Sequence, residues 1–488
     1  MKMKLSELLE GIDHEVVQGE TEREISAVVY DSRKVTKGCL FICIEGANND
    51  GHAYAVQAAM QGAAAVVVQK AVQYPQNMDT TFIKVDDSRY AMAFISAAWF
   101  GHPADKLRII GVTGTKGKTT TTYLIKSILD KAGHKAGLVG TIEIIIGDRH
   151  IHAVNTTPES YLLEEYFADM VKAGCDCVVM EVSSQGLKLH RTQGFIFDYG
   201  VFTNLEADHI GPNEHADMNE YMACKGLLFR QCRTGIANSD DIHMDQVMEG
   251  HTCKLETFGI DRQADLMARD LEMTRDGGTL GTRFHVTGTE DFDAQTATPG
   301  KFSVYNALAA IAVCRHFDIP AAQICEALKT THVRGRIEPV HVSDDFTLII
   351  DYAHNAMALE SLLSTLRAYH PHRIICLFGC GGNRSKLRRF EMGEISGKMA
   401  DLTIITSDNP RCEDPEAIIG DIRTGIERTS GKYITICDRK EAIAYAIAHG
   451  EPGDIIVLAG KGHEDYQEIN GVRYHMDERE LIRDILGK

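Results

Sequence analysis

The strongest constraint on the fold lies between residues 347 and 459. Five apolar runs, "TLIIDY", "RIICLFG", "LTIITS", "YITICD" and "DIIVLAG", alternate there with four helix-like stretches, "AMALESLLSTLRAYH", "FEMGEISGKMA", "PEAIIGDIRTGIE" and "KEAIAYAIAHG". Strands separated by helices of that length pair in parallel through crossovers rather than through tight hairpins. A mostly parallel, doubly wound sheet starting near residue 337 is therefore expected. Ligands of such sheets sit beyond the carboxyl ends of the strands. Three polar segments fall in that place: "GCGGNR" after the second strand, "DNPR" after the third and "GKGHE" after the last.

A second strand–turn–helix lies upstream. The strand "LRIIGVTG" runs into "GVTGTKGKTTTTYLIKSIL", Gly111 to Leu129. The usual phosphate-loop pattern is G-x-x-x-x-G-K-[ST]. Here its leading position is Val112, so the match is imperfect. The chemistry still agrees. Gly114 and Gly117 let backbone N–H groups approach an anion, Lys118 can reach phosphate oxygens, and the Thr119 hydroxyl can ligate Mg²⁺. Leu124, Ile125, Ile128 and Leu129 form a helical apolar stripe that Gly133 can end, and the helix N-terminus favours negative charge. A plain Thr-rich helix cap is the bland alternative. A nucleoside triphosphate is the leading ligand, and its metal needs acids. Glu181 ends the strand "CVVME", and His209 in "EADHIG" follows another strand.

Residues before about 100 contain the strand-like runs "AVVY", "LFICIEG", "AAVVVQK" and "TFIKVDD", with the helical "AYAVQAAMQGA" between two of them. Residues 263–297 are rich in Gly, Thr and Asp and read as antiparallel hairpins, followed by the helix "SVYNALAAIAVCRHF". The expected architecture is α/β with three domains, 1–100, 101–336 and 337–488: a small α/β unit, a central P-loop ATPase-type sheet and a C-terminal Rossmann-like sheet. A length of 488 residues suits several cores. The formal charge of −18 argues against a nucleic-acid face. No apolar run is long enough for a bilayer, and "MKMKLSELLEG" lacks a secretory h-region, so membrane insertion and secretion are not expected. The 13 cysteines, with no CxxC, suit a reducing cytoplasm and small core positions. No exposed apolar helix face stands out, and a monomer is expected.

The segments "GTKGKTT", "NTTP", "MEVSSQGL", "TNLEADHIG", "YNALAA", "RGRIE", "DYAHN", "DNPR" and "GKGHEDYQ" occur in an order that resembles the Mur ligases over nearly the whole chain. The likeness is greatest to members that add the third amino acid to UDP-N-acetylmuramoyl-L-Ala-D-Glu. That family's loop lacks the leading glycine, which accounts for Val112. The resemblance implies ATP-dependent amide formation through an acyl phosphate, in cytoplasmic peptidoglycan precursor synthesis. It puts Gly114, Thr115, Lys116, Gly117, Lys118, Thr119 and Thr120 on the ATP phosphates, with Asn306 on the adenine side and Arg336 and His354 also facing the nucleotide. It gives Thr119 and Glu181 to one Mg²⁺ and His209 to a second. It makes Lys225, in "EYMACKGLLF", a carbamylated lysine; from sequence alone Lys225 reads as a surface or snorkelling helix residue.

The same resemblance places the UDP-linked substrate at Tyr30, Ser32, Ala47, Asn48 and Asn49, and its muramoyl-dipeptide at Asn155, Thr156, Thr157, Ser183, Leu189 and Arg191. Amino-acid recognition falls to Arg384, Asp408, Asn409, Pro410, Arg411, Gly460 and Glu464. An Arg fork suits a carboxylate, and Asp408 and Glu464 suit an ammonium. A distal zwitterion such as that of meso-diaminopimelate needs both. Lysine would leave a buried Arg unpaired, at ~1–3 kcal/mol or more. The alternatives are a related ligase for L-lysine or another amine and, in a different class, a P-loop switch or motor ATPase. After "GGNR" the chain reads "SKLRRF", where members carry a Lys-Arg-Pro run. Arg388 and Arg389 keep the charge and Phe390 replaces the proline, so a loop of different shape is expected there.

Overall fold

The computed structural model describes residues 2–46, 49–73, 78–208, 210–211, 214–276 and 279–487. The chain forms two compact units, Met1–Leu266 with Leu308–Ile319, and Met267–Ala307 with Pro320–Lys488. The α/β class expected from the strand–helix alternation is what both units adopt.

In the first unit, residues 15–84 supply a five-stranded sheet whose inner strands, Leu40–Ile42, Ala65–Val68 and Thr81–Lys84, pair in parallel. Further along, the strand Arg108–Thr113 lies between Cys177–Glu181 and Phe197–Phe202, parallel to both. All five residues of Cys177–Glu181 are buried, as are the last five of Arg108–Thr113. Strands covered on both faces read as continuous apolar runs, which is why these were visible in the sequence. The register sets Glu181 opposite Val112, and Phe202 opposite Thr113. The carboxyl ends of the three strands therefore deliver the phosphate-type loop, Glu181 and Thr203–Asn204 to one edge.

In the second unit, Glu338–Val340 pairs antiparallel with Thr347–Asp351, and the strands Ile455–Ala459, Ile374–Phe378, Leu402–Ile405 and Tyr433–Thr435 follow in parallel order. Helix starts are chemically marked. Asn355 accepts from the Ala358 N–H, and Asp414 accepts from the Glu416 N–H with Pro415 in the first turn. Ile418, Ile419, Ile422 and Ile426 then bury one helical face. Within the region 263–297, where antiparallel hairpins are expected, Thr279–Gly288 pairs antiparallel with Phe292–Thr296, and Leu266–Asp276 is its other neighbour. "SKLRRF" is not a loop: the helix Lys386–Met399 starts there, four residues earlier than the apolar pattern suggested. No proline interrupts it, and Arg389 is 1% exposed, bound to Glu413 at 2.8 Å and Asp421 at 2.9 Å. The charge is thus internal rather than presented by a loop.

Arg439 ties this sheet together from within. Its guanidinium donates to the carbonyls of Ser407, just beyond one strand, and Ala459, at the end of another, and pairs with Glu478 at 2.8 Å, both side chains being at most 1% exposed. Removing one partner of such a pair leaves a charge buried alone, which costs roughly 3–5 kcal/mol. Arg439→Met should therefore lower the unfolding free energy of this unit by about that amount. Arg439→Met combined with Glu478→Met should recover much of it. Urea unfolding of the three proteins checks both values, and equal stability of the single and double variants would contradict the assignment.

Candidate active site

The phosphate-type loop is built around one close approach. Gly114 has φ +147°, and a Cβ there would lie 2.0 Å from Thr203 Oγ1. Only glycine fits. Gly117, at φ 85°, precedes the helix Lys118–Lys131. Loop and neighbouring strand end are stitched together: Thr115 N donates to the Asn204 carbonyl at 2.9 Å, Lys116 N to Asn204 Oδ1 at 3.0 Å, and Thr203 Oγ1 to the Lys116 carbonyl at 2.7 Å. Lys116 pairs with Glu206 at 2.6 Å. Lys118 folds back, Nζ donating to the Gly114 and Thr115 carbonyls at 2.8 and 3.0 Å. Thr120 is half-buried in the first helical turn.

Glu181 is 1% exposed and fully committed. Its Oε2 accepts from the hydroxyls of Thr119 and Thr141, both at 3.0 Å, and its Oε1 from the Thr141 N–H at 2.8 Å. Gly140 leaves room for this, since a Cβ there would sit 2.7 Å from Glu181 Oε1. The sequence reading missed Thr141. Its only signal was a Gly-Thr pair just after an apolar strand. The Thr141 hydroxyl also meets Thr156 Oγ1 at 3.0 Å, while Thr157 Oγ1 donates to the Glu181 carbonyl and accepts from the Ser183 N–H. "NTTP" and "MEVSS" thus converge on one point. Ser183 Oγ accepts from the Gly186 N–H, Asn155 is exposed and Leu189 half-buried. Arg191 donates to the Thr157 carbonyl and pairs with Glu159 at 2.8 Å, which also holds Arg89 at 2.6 Å.

Lys225 overturns its sequence-only reading as a surface or snorkelling residue. It is 1% exposed, on the helix Met218–Arg230. Its Nζ donates to the Gly114 carbonyl at 3.0 Å, the oxygen that Lys118 also uses, and lies 4.4 Å from the Tyr221 ring centroid. Burial, and then the Lys118 charge, push the Lys225 ammonium well below the ordinary lysine pKa. Tyr221, likewise missed, hydrogen-bonds to Thr115 Oγ1. His209 lies outside the described residues, as do Ala47 and Asn48. Among the described residues no group of three or more His, Cys, Asp or Glu side chains could hold a metal. Glu181 with hydroxyl neighbours is therefore the donor set on view.

Tyr30 lines a cavity of about 220 Å³ with Asp31, Lys34, Tyr161 and Glu165. Burial, and then Glu159, push its phenol up to about 12. Ser32 opens a short 3-10 turn capped by Asp31, and Asn49 is exposed, its carbonyl accepting from the Gly46 N–H.

The second unit carries the remaining expected residues. Asn306 is buried on the helix Lys301–Cys314, and Arg336 stacks over the Tyr352 ring at 4.7 Å. His354 is exposed, with Nδ1 2.9 Å from the Tyr352 carbonyl. The loops after Phe378, Ile405 and Ala459 meet closely. Gly382 N donates to the Asn409 carbonyl at 2.9 Å, and a Cβ on Gly382 would lie 1.9 Å from the Pro410 oxygen. Gly460, at φ +104°, faces Asp408, whose Oδ1 accepts from the Asn409 N–H. Glu464 does not stand as an open anion: Lys461, fully buried and missed in the sequence, pairs with it at 3.0 Å and also holds Asn409 Oδ1. Arg384 is exposed. Arg411 is three-quarters buried and donates from Nη1 to the Gly382 carbonyl at 2.6 Å. A cavity of about 610 Å³ opens beside it.

Comparison with known proteins gives this arrangement its relatives. Three family models match in order along the chain: "Mur ligase family, catalytic domain" over residues 24–100, "Mur ligase middle domain" over 112–314 and "Mur ligase, glutamate ligase domain" over 335–462. A UDP-N-acetylmuramoyl-L-alanyl-D-glutamate--2,6-diaminopimelate ligase from Caldanaerobacter subterraneus subsp. tengcongensis is 43% identical over 489 residues, covering 100% of this chain and 99% of its own. The protein of that name from Clostridium perfringens is 41% identical, covering 99% of each chain. A solved structure of a ligase of the same name matches with a TM-score of 0.73 at 29% identity, over 100% of this chain and 99% of its own. With the phosphate-type loop, the buried carboxylate after the adjacent strand and these full-length matches in agreement, the chain belongs to the Mur ligase family.

Proposed function

We propose that this protein is an ATP-dependent ligase that joins meso-diaminopimelate to UDP-N-acetylmuramoyl-L-Ala-D-Glu. The relatives that match over their full length carry the name of that activity. On this reading residues 1–100 bind the UDP-linked substrate, 101–336 bind ATP and 337–488 bind the amino acid. Work in the cytoplasm as a monomer belongs to the same reading. It is compatible with the finding that, among the described residues, no helix is long and apolar enough to cross a membrane.

The reaction has two steps. An oxygen of the acceptor carboxylate attacks the γ-phosphorus of ATP, ADP leaves, and an acyl phosphate forms. The amine of the amino acid then attacks the acyl carbon, loses a proton and expels phosphate. Positioning and charge neutralisation carry both steps. The loop N–H groups and Lys118 take the phosphates. Lys118, half-buried, rests on two carbonyl oxygens until they arrive. Glu181 and the Thr119 hydroxyl are hard oxygen donors of the type Mg²⁺ selects. They would hold one ion, and His209 would serve a second. A bound Mg²⁺ would supply charge neutralisation at the phosphates.

Burial also makes sense of Lys225. Carbamate formation needs a neutral amine to attack CO₂ with release of a proton, and burial beside Lys118 favours the neutral amine. The product is an anion beside the phosphate loop. Lys225→Ala should lower turnover by about 10²-fold or more, and short carboxylates such as acetate should restore part of it. Unchanged turnover would refute the role.

The observation that carries the amine choice is Arg411, a largely buried cation on the loop after Ile405. The deciding experiment is phosphate release with UDP-N-acetylmuramoyl-L-Ala-D-Glu, comparing meso-diaminopimelate with L-lysine. An unpaired polar site discriminates strongly, so kcat/KM should favour diaminopimelate by at least about 10²-fold. Equal or better turnover with lysine would overturn the reading.

A further inference from the structure

The Asp408–Arg411 segment is held on one side by a hairpin that follows it in the chain. Strands Tyr466–Ile469 and Val472–His475 pair antiparallel. The first of them runs beside "DNPR" like an added strand. Arg411 N donates to the Glu468 carbonyl at 2.9 Å, and Asn470 N donates to the Arg411 carbonyl at 2.7 Å. Gln467 Nε2 donates to the Asp408 carbonyl at 2.7 Å, and Glu468 N to Asn409 Oδ1 at 2.9 Å. This matters because Arg411 has φ 52°, in the left-handed region. A non-glycine residue persists there when its surroundings over-determine it. The hairpin supplies that determination on both sides of the residue.

The Glu468 side chain extends the hold to the guanidinium. Its Oε2 lies 3.5 Å from Arg411 Nε, while Arg411 Nη1 is held by the Gly382 carbonyl. Nη1 is hydrogen-bonded, and Nε lies at ion-pair distance from Glu468. Nη2 has no protein acceptor among the described residues. A guanidinium gripped in this way offers one defined side to a planar carboxylate and has little rotamer freedom left to lose on binding.

We propose that Glu468 is a positioning residue that aims Arg411 at the distal carboxylate of the incoming amino acid, so that the hairpin sets the choice among amines. The inference rests on the reading that Arg411 receives that carboxylate. An amine without a distal carboxylate gains nothing from the arrangement. Loss of Glu468 therefore penalises diaminopimelate and leaves lysine nearly untouched.

The test uses the full-length protein and measures KM and kcat for each substrate in Glu468→Ala and Glu468→Gln. Glu468→Ala should raise the diaminopimelate KM about tenfold while kcat and the KM values for ATP and the UDP-linked substrate change less than about twofold. The diaminopimelate-to-lysine ratio of kcat/KM should fall in parallel. Glu468→Gln keeps an acceptor for Nε and should recover about half of the loss on a logarithmic scale. If Glu468→Ala does not fold, Glu468→Gln alone should still raise the diaminopimelate KM about threefold. An unchanged or lowered diaminopimelate KM, or equal rises for all three substrates, overturns the proposal. Wild-type protein without a preference for diaminopimelate would sink the underlying reading and this proposal together. A wild-type preference that both variants preserve would sink this proposal alone.

Discussion

The first unit is organised around one carbonyl oxygen. Gly114 O accepts from Lys118 and from the fully buried Lys225, so two amines share one acceptor inside the loop. Two ammonium groups that close together, with little solvent, repel strongly, and neutralising one of them relieves the conflict. Burial first, and then the Lys118 charge, lower the Lys225 pKa. The loop itself depends on the same residue, because the carbonyl can point at both lysines only where Gly114 packs against Thr203 without a Cβ. The loop and the buried lysine beneath it are thus parts of one electrostatic arrangement.

Glu181 repeats the principle with the opposite sign. A carboxylate buried at a strand end is tolerated because Thr119 and Thr141 satisfy it. Its neighbours arrive from three separate motifs, and the parallel register brings them to one edge. In the second unit the cations are prearranged as well. Lys461 is spent on Asn409 and Glu464, and Arg389 on Glu413 and Asp421, while Arg411 stands at the junction of the three loops with Nη1 held by the Gly382 carbonyl.

What the sequence could reveal follows from burial. The core strands 374–378 and 455–459 are buried along their whole length, so their apolar runs were unmistakable. The hairpin 466–475 has weak strand signals because its residues are half-buried or exposed, and Asn470-Gly471, with φ of 50° and 77°, is the one clear mark of its turn. Its relation to Arg411 consists largely of backbone hydrogen bonds that no side-chain pattern announces. Lys225 lies on a helix whose apolar face is poorly marked, since Tyr221, Met222, Cys224, Gly226 and Leu228 are all buried around it. The loops of the site were legible as motifs. Their mutual contacts, Gly382 on Pro410 and Thr141 on Glu181, depend on tertiary register and were not.

The central claim is that the phosphate loop activates a carboxylate instead of hydrolysing ATP for its own sake. Isotope transfer tests it most directly. UDP-N-acetylmuramoyl-L-Ala-D-Glu labelled with ¹⁸O in its acceptor carboxylate is turned over with ATP and meso-diaminopimelate, and the released phosphate is analysed by mass spectrometry. The account predicts that one labelled oxygen appears in the phosphate for each amide formed. Phosphate free of label, with the amide still formed, would contradict it.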